Sequence, residues 1–182
     1  MFTKISQKDY VTTRWSGGIT RQLYIYPKGS DYQKRDFQYR ISSAVVEEEE
    51  SDFTYLPGVT RYLTSLQGEM ELTIGESTKE TVDCNRVICF DGGDKVHCVG
   101  KAEDFNLMLK GVRGKMFRSG EENVLNVHSD KEYFLYFDDF STFYVDNVEN
   151  LLISPGECCH IQKEEAQISF CGKNVIIIEI EV

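Results

Sequence analysis

A chain of 182 residues with 41% hydrophobic and 27% charged residues has the composition of a globular protein, long enough for one larger domain or two small ones with a real core. Its net charge of −10 excludes nucleic acid and anionic membrane surfaces as main partners, because both would repel it. The stretch Met1 to Tyr10 lacks an apolar run of signal-peptide length and no later segment could span a bilayer, so the expected compartment is the cytoplasm.

The first informative segment is Arg14-Trp15-Ser16-Gly17-Gly18, where the glycine pair opens a strand running to Tyr26. Strict alternation would put Ile19, Arg21, Leu23 and Ile25 on one face and Thr20, Gln22, Tyr24 and Tyr26 on the other. Neither a P-loop nor a G-x-G-x-x-G pattern accompanies the glycines, which argues against a phosphate cradle. After the polar connection Lys28 to Asp36, Phe37 to Val46 reads as a strand whose second face carries Gln38, Arg40, Ser42 and Ala44. On an open surface Arg40 would be an ordinary solvated charge. Inside a barrel lumen it would need a partner or an anionic ligand, and sequence leaves both open.

Glu47 to Glu50 reads as a solvated acidic turn. The central stretch Phe53 to Leu72 carries the turn pair Pro57-Gly58, a strand from Arg61 to Gln67, a tight turn at Gly68-Glu69 and a second strand Met70 to Ile74. Together these read as a β-hairpin with Arg61 at its base. Lys79 to Val82, Asn85 to Phe90, Lys95 to Val99 and Asp104 to Lys110 continue the short-strand pattern. In the last of these, either Phe105, Leu107 and Leu109 or Asn106 and Met108 point inward, depending on register. Gly111 to Gly120 is a candidate boundary. Beyond it Lys115–Arg118, Glu132–Phe137, Phe143–Val145, Asn150–Ile153, Gln167–Phe170 and Val175–Val182 read as strands. The 12% aromatic share and the absence of a convincing amphipathic helix point to an all-β sandwich or barrel.

Several of these motifs recur together in one family. Trp15-Ser-Gly-Gly-Ile-Thr20-Arg-Gln22 with Pro27, Phe37-x-x-Arg40-Ile-Ser42-x-Ala44-x-Val46 and Phe53-x-x-x-Pro57-Gly58-x-x-Arg61-x-Leu63-x-x-Leu66-x-Gly68 resemble the HutD/Ves family. So do Phe90-x-Gly92-Gly93-Asp94, Asp104-Phe-Asn106-Leu-Met108 and Leu152-x-x-Pro155-Gly156-Glu157, and the set covers nearly the whole chain. Two departures are the opening glycine run, one residue shorter here, and the spacing from Asp94 to Glu103. The resemblance implies a bicupin: two antiparallel cupin-like β-barrels of the jelly-roll type. The N-terminal lobe (1–110) would hold a pocket and 111–182 would form the second lobe, with strands near the N-terminus free to cross between them. It also implies a link to histidine utilisation, with a regulatory or ligand-buffering role and a small anionic metabolite such as N-formylglutamate as ligand. The positions matching the family's polar motif residues are Arg14, Trp15, Thr20, Gln22, Arg40, Ser42, Arg61 and Asn106. In this reading Arg40 or Arg61 grips a carboxylate, Gln22, Ser42 and Asn106 orient it, and Trp15 walls the site.

Other functions find less in the residues. A mononuclear cupin metal centre needs an H-x-H pair and further converging ligands. His97, His128 and His160 are scattered instead, so no metal and no cofactor is expected. The six cysteines contain no C-x-x-C and read as free thiols, with Cys158 and Cys159 on opposite sides of one strand. No nucleophile elbow is present. The alternatives to a non-catalytic binding protein are a metal-independent cupin isomerase or epimerase, with His97 and Tyr62 or Tyr24 as acid and base, and a protein-interaction module. The oligomeric state stays open, a homodimer included.

Overall fold

The computed structural model describes residues 1–120, 123–146 and 148–181. Short β-branched and aromatic runs punctuated by glycine turns form strands throughout, and no α-helix occurs among the described residues. The first eleven strands are β1 (Phe2–Ile5), β2 (Val11–Trp15), β3 (Gly18–Tyr26), β4 (Tyr39–Val46), β5 (Glu50–Asp52), β6 (Thr60–Gln67), β7 (Met70–Ile74), β8 (Thr78–Val82), β9 (Ile88–Asp91), β10 (Val96–Val99) and β11 (Glu103–Leu109). They are followed by β12 (Gly114–Arg118), β13 (Val124–Val127), β14 (Lys131–Phe137), β15 (Ser141–Val145), β16 (Val148–Ile153), β17 (Glu157–Gln162), β18 (Ala166–Phe170) and β19 (Ile176–Glu181). Val182, the expected end of the last strand, lies outside the described residues. The all-β expectation holds.

The chain divides into two units, one spanning Tyr10–Val112 and the other joining Met1–Asp9 to Arg113–Val182. The first nine residues sort with the later unit because β1 adds to its sheet, Phe2 opposite Ile161 and Ile5 opposite Cys158. That unit has a five-stranded sheet in the order β1-β17-β14-β19-β12 and a four-stranded sheet β13-β18-β15-β16. Inward residues from both sheets, among them Leu135, Phe137, Phe143, Cys159, Ile168 and Ile177, form one buried cluster. Cys159 belongs to that cluster, whereas Cys158 stands beside Tyr136 of β14 on the opposite face of the sheet. Adjacent strand residues diverge in this way, as the alternation required.

The unit Tyr10–Val112 is built alike, from the sheet β2-β3-β4-β11-β6-β9 and the sheet β5-β10-β7-β8. Leu63, Met70, Leu72, Val82, Ile88, Phe90 and Val96 are part of one buried apolar cluster that draws on strands of both sheets. Phe37, Leu56, Val59 and Met108 form a second, smaller cluster, with Ile25 and Tyr32 packed against it.

Two local expectations are corrected. The stretch Arg61 to Ile74 is not a hairpin, because β6 pairs with β9 and β11 while β7 pairs with β8 and β10 of the other sheet. Gly68 turns the corner at φ 81°, where a Cβ would sit 2.8 Å from the Lys101 carbonyl oxygen. The Ser65 hydroxyl donates to the Gly68 carbonyl at 2.8 Å and pins this corner. The alternation of β3 also breaks, since a bulge at Leu23 shifts its register against β4. Thr20 and Gln22 face Ala44 and Ser42, but beyond the bulge Ile25 takes the row of Arg40, and Tyr24 and Tyr26 stack on Tyr39.

Candidate functional site

Between the sheets of the unit Tyr10–Val112 lies a cavity of about 730 Å³. Strand register explains its lining. On one face of the six-stranded sheet, residues directly opposite each other form rows across neighbouring strands. Arg40, Met108 and Arg61 make one row, Gln22, Ser42 and Asn106 the next, and Thr20, Ala44 and Asp104 the third. The register question for β11 is thereby answered: Asp104, Asn106 and Met108 line the cavity, while Phe105, Leu107 and Leu109 are buried on the opposite face.

All eight residues singled out in the sequence line this cavity. Arg40, Ser42, Arg61 and Asn106 are buried in it, each no more than 5% exposed. Arg14 and Trp15 stand at the lip. The Arg14 guanidinium pairs with Glu47 at 3.1 Å, and the Trp15 ring lies so close over Gly17 that a Cβ there would be 2.1 Å from it. Gly18, where β3 begins, approaches the Val45 carbonyl closely enough that a Cβ would be 1.9 Å from the oxygen.

The two buried arginines are held differently. Arg40 donates from Nε to Gln22 Oε1 at 2.8 Å and from Nη1 to Ser42 Oγ at 3.1 Å, and its guanidinium lies 4.3 Å from the centre of the Tyr32 ring. Gln22 and Ser42 therefore hold Arg40 in place, through acceptor atoms that leave the Gln22 amide NH2 and the Ser42 hydroxyl as donors for the ligand-orienting role expected of them from sequence. Arg61 lies over the rings of Phe53 and Phe90 at 4.7 and 5.3 Å. Its Nε has no hydrogen-bond partner, nor does the buried Oδ1 of Asn106. Neither arginine has an ion-pair partner within 4 Å among the described residues. Burial accordingly pushes both guanidinium groups down, Arg61 to about 10, with Asp104 pulling the other way.

Asp104 was missed as a site residue, although the alternation Asp104-x-Asn106-x-Met108 carried the signal once register was known. Its carboxyl is 6% exposed, and burial pushes it up to about 7 against the pull of Arg61, the Ala44 backbone N–H and Arg40. Tyr32 and Phe53 were missed as well. They come from segments without regular structure, and their signal was an aromatic residue amid polar neighbours.

The acid–base residues of the enzyme alternative do not line the cavity, although His97 borders it through the lining residue Asp52. His97, Tyr62 and Tyr24 are outside the lining, and His97 Nδ1 meets the exposed Asp52 carboxylate at 2.9 Å. Carboxylates at Asp31, Asp52 and Asp104 are the cavity's anionic donors, and it has no histidine or cysteine among its lining residues. Among the described residues no group of three or more His, Cys, Asp or Glu is placed to hold a metal ion.

The sequence model of the HutD family matches residues 7–177. No curated protein matches the sequence. Among solved structures, a conserved protein of unknown function from Pseudomonas aeruginosa is 19% identical with a TM-score of 0.81, covering 100% of this chain and 98% of its own. HutD from Pseudomonas fluorescens is 20% identical at a TM-score of 0.79, with the same coverage. A bacterial pirin from Escherichia coli, in complex with nickel(II), is 9% identical at a TM-score of 0.68, covering 100% and 99%. These likenesses establish a bicupin fold. The metal centres found on that fold do not fit this cavity, whose two buried guanidinium groups repel a cation and whose lining has no imidazole or thiolate to hold one.

Proposed function

This chain belongs to the HutD family, and we propose that it is a cytoplasmic, non-catalytic protein whose cavity binds a small anionic metabolite, a carboxylate such as N-formylglutamate, in a regulatory role linked to histidine utilisation. The observation that carries this reading is the pair of buried arginines without ion-pair partners in one cavity. A desolvated guanidinium is expensive to hold unless an anion arrives, and its planar fork matches the two oxygens of a carboxylate. Arg40 and Arg61 stand two strands apart across Met108, so their Cα atoms are separated by about 9–10 Å. Long side chains converging from that spacing suit one carboxylate gripped from two sides, or a dicarboxylate spanning both. The interaction-module reading would be favoured by arginines exposed or tied into internal salt bridges, and among the described residues they are neither. Six free cysteines support a reducing compartment. Among the described residues no helix is long and apolar enough to cross a membrane.

Thermal melts with N-formylglutamate, glutamate, urocanate and histidine, each with and without chelator, test the reading. A ligand at about 100 times its Kd adds roughly 2.7 kcal/mol, a shift on the order of 5–10 °C for a protein of this size. A shift produced by a carboxylate, indifferent to chelator and lost in Arg40→Ala and Arg61→Ala, is expected. Flat melts with every anion would remove the reading.

A further inference from the structure

We propose that Asp104 is itself a ligand-binding group of this cavity, meeting the anion as a neutral acid, so that each anion is taken up together with one proton. This role rests on the anion-binding reading above and adds to it a residue and a coupling.

Asp104 sits on β11, the central strand of the lining, in the row next to Asn106 and two rows from Arg40 and Arg61. It faces the cavity yet is 6% exposed, and it forms no ion pair within 4 Å among the described residues. Its carboxylate accepts from the backbone N–H of Ala44. The groups that act on it come from every side. Arg61 on β6 and Arg40 on β4 favour its charged form, while Glu103 on its own strand opposes it. Cys98 on β10 is a neighbour whose thiol is held at about 11 by burial first and by Asp104 second. Asp31 and Asp52 add negative charge at the mouth. Burial prevails over the arginines, and the carboxyl titrates at about 7.

An empty cavity and a filled one make opposite demands on this group. With the cavity empty, an ionised Asp104 partly offsets two guanidinium charges. An arriving carboxylate takes over that task and repels Asp104 in a poorly solvated space, which raises the affinity of Asp104 for a proton. The protonated acid then gains an O–H donor for a ligand oxygen, whereas the carboxylate can only accept. Linkage is reciprocal: if the anion favours protonation, low pH favours the anion. With the free carboxyl at about 7, the Kd should be level below that pH and rise about tenfold per pH unit above it, reaching about a hundredfold loss at pH 9.

The test is calorimetric titration with N-formylglutamate and with glutarate, both fully ionised between pH 7 and 9, in two buffers of different ionisation enthalpy. Uptake close to one proton per anion at pH 8, with the Kd rising from pH 7 to 9, is expected. Asp104→Asn, which keeps the shape and a donor, should bind with a pH-independent Kd and take up no proton. Carboxyl carbon NMR of the wild-type protein supplies a readout that needs no variant: a group titrating near 7 without ligand should move upward when glutarate is added. Tight anion binding with no proton uptake and a level Kd would overturn the coupling and leave the anion cavity standing. Failure of both anions to bind at any pH would overturn the cavity reading and the coupling with it.

Discussion

Arg61→Met is expected to make the ligand-free protein more stable while abolishing its response to anions. Arg61 is 5% exposed, so solvent does little to screen its charge. Burial lowers its guanidinium from 12.5 to about 10, and that gap corresponds to about 3 kcal/mol held against the folded state. The sign follows from a base whose folded value lies below its unfolded one. The cost is fully present below about 10 and is relieved only above it, and because Asp104 titrates near 7 beside Arg61 the two proteins are compared at a single pH. Methionine keeps the apolar contact with Phe53 and Phe90 and removes both the charge and the orphaned Nε. Losing two cation–π contacts returns about 1–2 kcal/mol, which leaves a net gain of about 1–2 kcal/mol. For a protein of this size that is a rise in Tm of roughly 2–8 °C. Paired melts of wild type and Arg61→Met, without ligand and then with saturating N-formylglutamate, read both effects. A variant less stable than wild type by 1 kcal/mol or more would refute the reasoning, because Arg61 would then be a structural residue rather than a charge awaiting an anion.

Two further outcomes can be checked on the same preparations. Asp104 is an acid whose folded value, about 7, lies above its ordinary 3.8. The stability it contributes is therefore full below about pH 4 and lost as pH rises through 7, about 4 kcal/mol in all. Denaturant titrations should show Asp104→Asn losing most of that slope, matching wild type near pH 4 and exceeding it at pH 8; parallel pH curves for the two proteins would contradict the burial of this carboxyl. Thiol labelling should divide the six cysteines in half. Cys84, Cys89 and Cys171 are exposed and should react at once, while Cys98, Cys158 and Cys159 are buried, with thiols pushed upward, and should react only on unfolding. Prompt reaction at all six would mean that the strands carrying them open freely.

Fold class was legible because strands bounded by glycine and proline turns leave a period-two trace, and the trace is strong from Phe37 to Val46 and from Met70 to Ile74. The polar residues of the site were legible one strand at a time through the family resemblance. Their convergence was not, since it depends on which strands are neighbours. Arg40 and Arg61 become a pair only because β11 lies between β4 and β6. Alternation likewise cannot announce its own interruption. Nothing in Gln22-Leu23-Tyr24 marks the bulge, which is fixed by pairing with β4. The corner at Gly68 read as a hairpin for the same reason: a tight turn between two strands looks alike whether the chain folds back or crosses to another sheet. Asp104 escaped notice because an acid among 30 acidic residues gains meaning only from burial.

The pairing of β1 with β17 also sets an order of events while the chain is being made. Ile5 leaves the ribosome about 150 residues before Cys158, its partner across the sheet. At about 5–20 residues per second that is a wait of roughly 8–30 s. The unit Tyr10–Val112 has all its strands available well before then and is free to close around its cavity. The later unit cannot complete its five-stranded sheet until β19 has been made. Chains stalled late enough to clear Val112 from the ribosome, yet before β17 is made, would therefore carry a complete unit Tyr10–Val112 and a β1 still without its partner.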